Sequence, residues 1–78
     1  MTIEMIIQKH VPSSSEISQS TLLFSSGLLD SLSLIDIVQE VEQLFQVKVH
    51  WSELNLENFD SIGQIQKYIS RKIDEAKH

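Results

Sequence analysis

The sequence predicts an all-α fold, a small four-helix bundle with three main helices and one short helix. In three separate segments the apolar residues recur at spacings of three and four, the period of one helix face. The chain has only 2 Gly and 1 Pro, so few positions interrupt a helix. With 78 residues and no cysteine, it can build one apolar core without disulfides. We therefore expect a single domain over residues 1–78.

The first helix is predicted from Thr2 to about His10. Its apolar residues share one stripe: Ile3, Ile6, Ile7 and Val11. Thr2 is suited to be the N-cap, and Glu4 suits the positive end of the helix dipole. Pro12 ends the segment because proline lacks the backbone N–H that a helix interior requires.

A long polar connection is predicted from Pro12 to Leu29. Connections of this length are unusual in a compact domain and are commonly functional or poorly ordered. Three consecutive apolar residues interrupt it: Leu22, Leu23 and Phe24. We expect this trio to pin the connection across the core. Residues 18–21 are compatible with one helical turn.

The second helix is the clearest and follows Asp30, whose carboxylate can cap it. Its predicted buried stripe consists of Leu34, Ile37, Val38, Val41, Leu44 and Phe45. The opposite side is polar: Asp36, Gln39, Glu40 and Gln43. The segment Val47-Lys48-Val49 marks the exit, because β-branched residues favour extended backbone.

The short helix is expected within residues 53–59, and the last helix begins near Ser61. Ser61 and Gln64 have the spacing of a capping box. The buried stripe of the last helix is predicted to be Ile62, Ile65, Ile69 and Ile73. Basic residues follow toward its C-terminal end, where they suit the helix dipole: Lys67, Arg71, Lys72 and Lys77.

The net charge of -5 and the pI of about 4.9 restrict the partners. An acidic surface repels nucleic-acid phosphates and anionic lipid headgroups, and attracts basic protein surfaces. The first ten residues lack the basic and apolar regions of a signal peptide, and no stretch reaches the length of a membrane span. We expect a cytoplasmic monomer that binds neither nucleic acid nor membranes. The initial methionine favours a complete small protein, with a fragment of a longer chain as the alternative.

Ser31 is the residue most suited to carry chemistry. It stands at the start of the clearest helix, where backbone N–H groups lack partners within the helix and favour a phosphate. Gly27 helps the loop turn into that helix. A serine at a helix start is most often only a cap, so geometry alone favours that interpretation. A nucleophilic serine is less favoured still, because there is no G-x-S-x-G motif and no histidine nearby in sequence.

Other candidate residues have plainer interpretations. The three histidines are far apart in sequence, so no metal site is expected: His10, His50 and His78. Trp51 is expected to pack over the core rather than to anchor a partner. Tyr68 is expected to be partly buried with its hydroxyl in water.

The segment around Ser31 resembles the carrier proteins of fatty-acid, polyketide and nonribosomal-peptide synthesis. The similar stretch is Gly27-Leu28-Leu29-Asp30-Ser31-Leu32, followed by the amphipathic helix 33–45. The resemblance extends over roughly residues 20 to 70 and includes Leu23-Phe24, residues 42–49 and residues 58–62. Gln39 replaces a methionine and His50 a proline that are common in fatty-acid carriers. These differences argue against the housekeeping fatty-acid carriers. The form Gly-Leu-Leu-Asp-Ser-Leu is more similar to aminoacyl, D-alanyl and specialised-pathway carriers.

This resemblance implies an acyl-carrier-protein-like bundle and a covalent 4'-phosphopantetheine on Ser31, added by a phosphopantetheinyl transferase from coenzyme A. The thiol of that arm would hold acyl, aminoacyl or polyketide groups as thioesters. The implied partners are an acyl- or aminoacyl-loading enzyme and a downstream synthase, transferase or thioesterase. The carrier itself would perform no catalysis.

The resemblance also implies a docking surface around Ser31. Asp30 would contact a basic residue of the transferase. Leu32 and Ile35 are apolar but lie off the buried stripe, so they would form a docking patch. Polar contacts to partners would come from Asp36, Gln39, Glu40 and Glu42.

Two further alternatives belong to other functional classes. An unmodified interaction module with the carrier fold would have the same pattern. A helix-turn-helix DNA-binding protein fits the helix count but conflicts with the acidic charge.

Overall fold

Five helical segments follow one another along the chain in a computed structural model that describes residues 2–12 and 16–76. They are α1 (Ile3–His10), α2 (Ser31–Phe45), a 3₁₀ turn (Trp51–Glu53), α3 (Leu56–Phe59) and α4 (Ile62–Ala76). Within the described ranges there is no β-strand. The predicted all-helical bundle of three main helices and one short helix is confirmed.

The N-terminal helix α1 has the predicted cap and the predicted buried face. The hydroxyl of Thr2 accepts a hydrogen bond from the N–H of Met5 at 3.2 Å. The predicted stripe is buried throughout: Ile3, Ile6, Ile7 and Val11. Val11 already has extended backbone, so α1 ends two residues before Pro12.

Helix α2 buries most of its predicted stripe. Ile37, Val38 and Val41 are buried, and Leu34 and Phe45 pack partly against the core. The prediction for Leu44 is wrong, because its side chain is 41% exposed. Leu44 lies in the last turn at the edge of the stripe. The helix then stops at Gln46, which adopts a left-handed conformation with φ 56°.

The long connection between α1 and α2 is held to the core by one residue of its apolar trio. Leu23 is fully buried, whereas Phe24 is half-buried and Leu22 is 52% exposed. The prediction that all three pin the loop is therefore only partly right, because a loop that crosses the core edge turns neighbouring side chains to opposite sides. Residues 18–21 form a turn closed by the Thr21 N–H and the Ser18 carbonyl at 3.3 Å, not a helical turn.

Helix α4 begins near Ser61 as predicted, and its first turn bonds to the long connection. Only half of the predicted capping box forms, because the side-chain oxygen of Gln64 has no hydrogen-bond partner among the described residues. The Ser61 hydroxyl accepts the N–H of Gln64 at 3.2 Å, and the predicted isoleucine stripe is buried or half-buried. The N–H of Gly63 donates to the carbonyl of Gln19 at 3.0 Å. A Cβ at position 63 would lie 3.2 Å from that oxygen, so glycine permits this close approach. Lys77 lies outside the described residues.

Tyr68 is the largest fully buried side chain, and the prediction of a water-facing hydroxyl is wrong. Its side chain is 1% exposed, and its hydroxyl donates to the Glu53 carboxylate at 2.8 Å. Glu53 comes from the 3₁₀ turn, which the sequence pattern did not place against α4. Lys72 contacts the same carboxylate at 3.3 Å, and the Phe59 ring lies 5.1 Å from the tyrosine ring.

Candidate functional site

Ser31 is exposed and is the first residue of α2, but the helix is capped by its neighbour Asp30. The Asp30 carboxylate accepts the N–H of Ser33 at 2.9 Å. The backbone N–H of Ser33, followed by its hydroxyl, lowers the pKa of Asp30, so this carboxylate is charged at neutral pH. Because Asp30 performs the capping, the Ser31 hydroxyl is not needed as a cap. The interpretation of Ser31 as only a helix cap therefore loses its main support.

The loop that leads to Ser31 is closed at its base. The N–H of Leu29 donates to the carbonyl of Leu23 at 2.8 Å, and both side chains are buried. Gly27 lies between them with φ +82°, a conformation that other residues resist. The closed loop therefore fixes the backbone immediately before Asp30 and Ser31.

Four of the predicted docking residues lie together on the exposed face of α2. At 100° per residue, this face is opposite the buried stripe. The members of this exposed face are Leu32, Ile35, Asp36 and Gln39. Leu32 is 74% exposed and Ile35 is 43% exposed. An apolar pair flanked by an acidic and an amide side chain is thus presented to solvent next to Ser31.

The other two predicted acidic contacts are bonded within the fold. Glu40 receives hydrogen bonds from Lys9 and from Nε2 of His10, the latter at 2.9 Å. The bond with His10, followed by that with Lys9, lowers the pKa of Glu40. Glu42 accepts the N–H of Val49 at 2.8 Å. These carboxylates therefore join α2 to α1 and to the α2 exit, which the sequence pattern did not indicate.

Trp51 is a surface residue whose position the sequence analysis missed. The prediction that it packs over the core is wrong, because its side chain is 83% exposed. Its 3₁₀ turn directs Leu54 toward the core instead. Trp51 borders a groove of about 240 Å³ beside α2, lined also by Ile35, Val38, Gln39, Glu42, Val49 and Leu54. No sequence signal distinguishes a tryptophan at such a groove from one over the core.

Metal-ligand clusters and membrane-length helices are both absent from the ranges 2–12 and 16–76. No group of three or more His, Cys, Asp or Glu residues there could hold a metal ion. No described helix is long and apolar enough to cross a membrane. His10 is bonded to Glu40, His50 is exposed in the connection after α2, and His78 lies outside the described residues.

Comparison with known proteins places these features in a family. Residues 4–69 match the model described as "Phosphopantetheine attachment site". The D-alanyl carrier protein of Streptococcus uberis is 40% identical over 43 residues, 55% of this chain and 54% of that protein. The D-alanyl carrier protein of Streptococcus equi subsp. zooepidemicus is 34% identical over 56 residues, 72% and 66% of the two chains.

An acyl carrier protein from Thermotoga maritima is 34% identical over 59 residues, which are 76% of this chain and 70% of that protein. The chain spans about half to two thirds of the length of the D-alanyl carrier relatives. The family match covers most of the chain and includes α2 with its N-terminal loop. The chain therefore belongs to the phosphopantetheine attachment site family of carrier proteins, whose cofactor is covalently attached 4'-phosphopantetheine.

Proposed function

We propose that the Ser31 hydroxyl is the attachment point of the phosphopantetheine arm, and that the chain presents thioester-bound groups to the enzymes of a biosynthetic pathway. The observation that carries this proposal is the division of roles at the start of α2. Asp30 caps the helix, so capping does not require the exposed hydroxyl of Ser31, which lies within the matched region.

The residues around Ser31 fit an arm that extends into solvent. The positive end of the α2 dipole favours a phosphate at this position. The Asp30 carboxylate, however, already accepts the N–H of Ser33 and has the same sign of charge as a phosphate. It therefore disfavours a phosphate that folds back onto the first turn and favours one that points into solvent. When bound, the group supplies a terminal thiol, which the cysteine-free chain does not have.

The cargo class that we favour is aminoacyl, with acyl as the second candidate. Several relatives are named D-alanyl carrier proteins, and another is named an acyl carrier protein. Gln39 and His50 replace residues that are common in fatty-acid carriers. These differences also favour an aminoacyl over an acyl cargo.

The proposed partners are a phosphopantetheinyl transferase, an aminoacyl- or acyl-loading enzyme, and a downstream synthase, transferase or thioesterase. They would dock on the exposed face of α2, through Leu32 and Ile35 with Asp36 and Gln39 beside them. Asp30 would face a basic residue of the transferase. The chain would act as a non-catalytic cytoplasmic monomer and leave the chemistry to these enzymes.

The test is the intact mass after incubation with coenzyme A and a broad-specificity phosphopantetheinyl transferase. We expect wild type and Ser70→Ala to gain one phosphopantetheine, and Ser31→Ala to gain none. Ser70→Ala is the matched control because it removes the hydroxyl of another exposed helical serine, on α4 instead of α2. An unchanged wild-type mass, under conditions that load another carrier, would sink the proposal and favour the unmodified interaction module. Loading of Ser31→Ala would place the arm elsewhere.

A further inference from the structure

Asp60 is a buried carboxylate that the proposed function does not use. It lies between α3 and α4 and is 5% exposed. A charged group is costly to bury unless hydrogen bonds replace its water. The hydrogen-bond donors that replace this water show which segment of the chain Asp60 holds in place.

All of these donors come from the long connection that precedes α2. One carboxylate oxygen accepts the N–H of Phe24 at 2.8 Å and the N–H of Ser25 at 2.9 Å. The other oxygen accepts the Ser25 hydroxyl. The backbone carbonyl of Asp60 accepts the N–H of Leu23 at 2.7 Å. Asp60 thus holds three consecutive residues of a loop that lies 35 and more positions away in sequence.

The held segment connects directly to the start of α2. The carbonyl of Leu23 accepts the N–H of Leu29 at 2.8 Å, which closes the loop 23–29 at its base. Leu29 is 5% exposed and is followed by Asp30 and Ser31. Two consecutive hydrogen bonds therefore link Asp60 to the residue that precedes the helix cap.

We propose that Asp60 is a positioning residue for the Ser31 site. Its carboxylate holds Phe24 and Ser25, and its backbone carbonyl holds Leu23 at the base of the loop 23–29. Together these bonds keep Asp30 and Ser31 in the geometry that a phosphopantetheinyl transferase recognises. This inference rests on the proposed modification of Ser31. If the loop is displaced in some of the molecules, only the remaining fraction can bind the transferase. The apparent affinity for the transferase is then the intrinsic affinity multiplied by that fraction.

Two variants weaken the bonds of the Asp60 carboxylate to residues 24 and 25 at different atoms, and leave the bond between the Leu23 N–H and the Asp60 backbone carbonyl in place. Asp60→Asn removes the charge at nearly constant shape, and Ser25→Ala removes one donor at an exposed residue, so that it is expected to fold. Glu53→Gln is the matched control. It neutralises another hydrogen-bonded carboxylate, whose described partners are Tyr68 and Lys72 and not the loop.

The measurement is the steady-state rate of phosphopantetheinyl transfer, at a temperature where circular dichroism shows every variant folded. For Asp60→Asn and Ser25→Ala we expect the KM for the carrier to rise roughly three- to tenfold with kcat little changed, because lost bonds reduce the competent fraction. Glu53→Gln should match wild type. Amide hydrogen exchange at Ser25 and Leu29 should accelerate in Asp60→Asn and not in Glu53→Gln.

Different results overturn different claims. Wild-type KM and wild-type exchange in Asp60→Asn would refute the positioning role and leave the modification of Ser31 standing. Equal effects of Asp60→Asn and Glu53→Gln on KM would reduce Asp60 to a general contributor to stability. Absence of transfer to wild type would remove the proposed function and this inference with it.

Discussion

Raising the pH should not ionise Tyr68 until the helices unfold. Burial, and then the hydrogen bond to the Glu53 carboxylate, raise the pKa of Tyr68 above the ordinary value of 10.0. The Arg71 guanidinium lies 5.4 Å from the ring and favours the ionised form, but it does not offset the two larger effects. The chain has 1 Tyr, so a tyrosinate absorbance titration reports on this residue alone.

The size of the effect follows from proton linkage. Above pH 10 the unfolded chain releases the phenolic proton while the folded chain retains it. The free energy of unfolding therefore falls by up to about 1.4 kcal/mol per pH unit from this group. At a pH two units above the ordinary pKa of tyrosine, the free energy of unfolding has fallen by about 2.7 kcal/mol. This is a large part of the stability of a small domain. At neutral pH the Tyr68 hydroxyl is protonated in both states and its stabilisation is fully present.

The assay follows tyrosinate absorbance and far-ultraviolet circular dichroism in the same titration. Tryptophan fluorescence is a poor probe of unfolding here, because Trp51 is already 83% exposed. We expect the two signals to change together, well above pH 10. Tyr68→Phe should be less stable than wild type by about 1–2 kcal/mol at neutral pH, and this difference should shrink as the pH rises. Tyrosinate formation with a midpoint near pH 10 while the helices remain intact would refute the burial argument.

Three further predictions concern the loop before α2, each checked by urea unfolding. Leu23→Ala should cost about 3 kcal/mol, because it empties a fully buried site; a change below about 1 kcal/mol would contradict its pinning role. Gly27→Ala should cost about 1 kcal/mol from backbone strain alone, since no atom lies within 4 Å of the new Cβ; an unchanged midpoint would contradict this. Burial raises the pKa of Asp60, but hydrogen bonds from Ser25 and from the Phe24 N–H have the larger combined effect. The pKa of Asp60 therefore lies below its usual value. The stabilisation by the Asp60 carboxylate is therefore present above the unfolded pKa of about 3.9 and is lost as the pH falls through the folded pKa. The free energies of unfolding of wild type and Asp60→Asn should converge in acid. A constant difference between them at all pH values would contradict this prediction.

Much of the fold could be predicted from the sequence because the deciding interactions are local. A capping side chain bonds to a backbone N–H two or three residues ahead, so Thr2, Asp30 and Ser61 could be read directly. Helix periodicity selects a face without reference to the partner element. The stripes of α1 and α4 are buried as predicted, except that Ile73 is half-buried. Ser31 as the attachment point follows from the resemblance of residues 27–32 to carrier proteins, not from helix geometry, and stays a prediction.

The errors concern residues whose surroundings depend on distant segments. Leu44 and Trp51 are apolar and exposed, because whether a side chain at the edge of an element is covered depends on where the next element lies. Tyr68 finds its partner Glu53 in a 3₁₀ turn 15 residues away. Glu40 is bonded to His10, which is 30 residues away. No periodicity indicates such pairs.

The sequence by itself determined the all-helical class, the starts of the main helices and the exposed serine at the start of α2. Only the tertiary structure decided what holds that serine in place. The backbone carbonyl of Asp60 holds Leu23, which in turn holds Leu29. The Asp60 carboxylate holds Phe24 and Ser25, which lie 36 and 35 positions away in sequence. Hydrogen bonds of this kind exist only after α4 has packed against the rest of the chain. Their partners are therefore set by the assembled core and not by any local pattern.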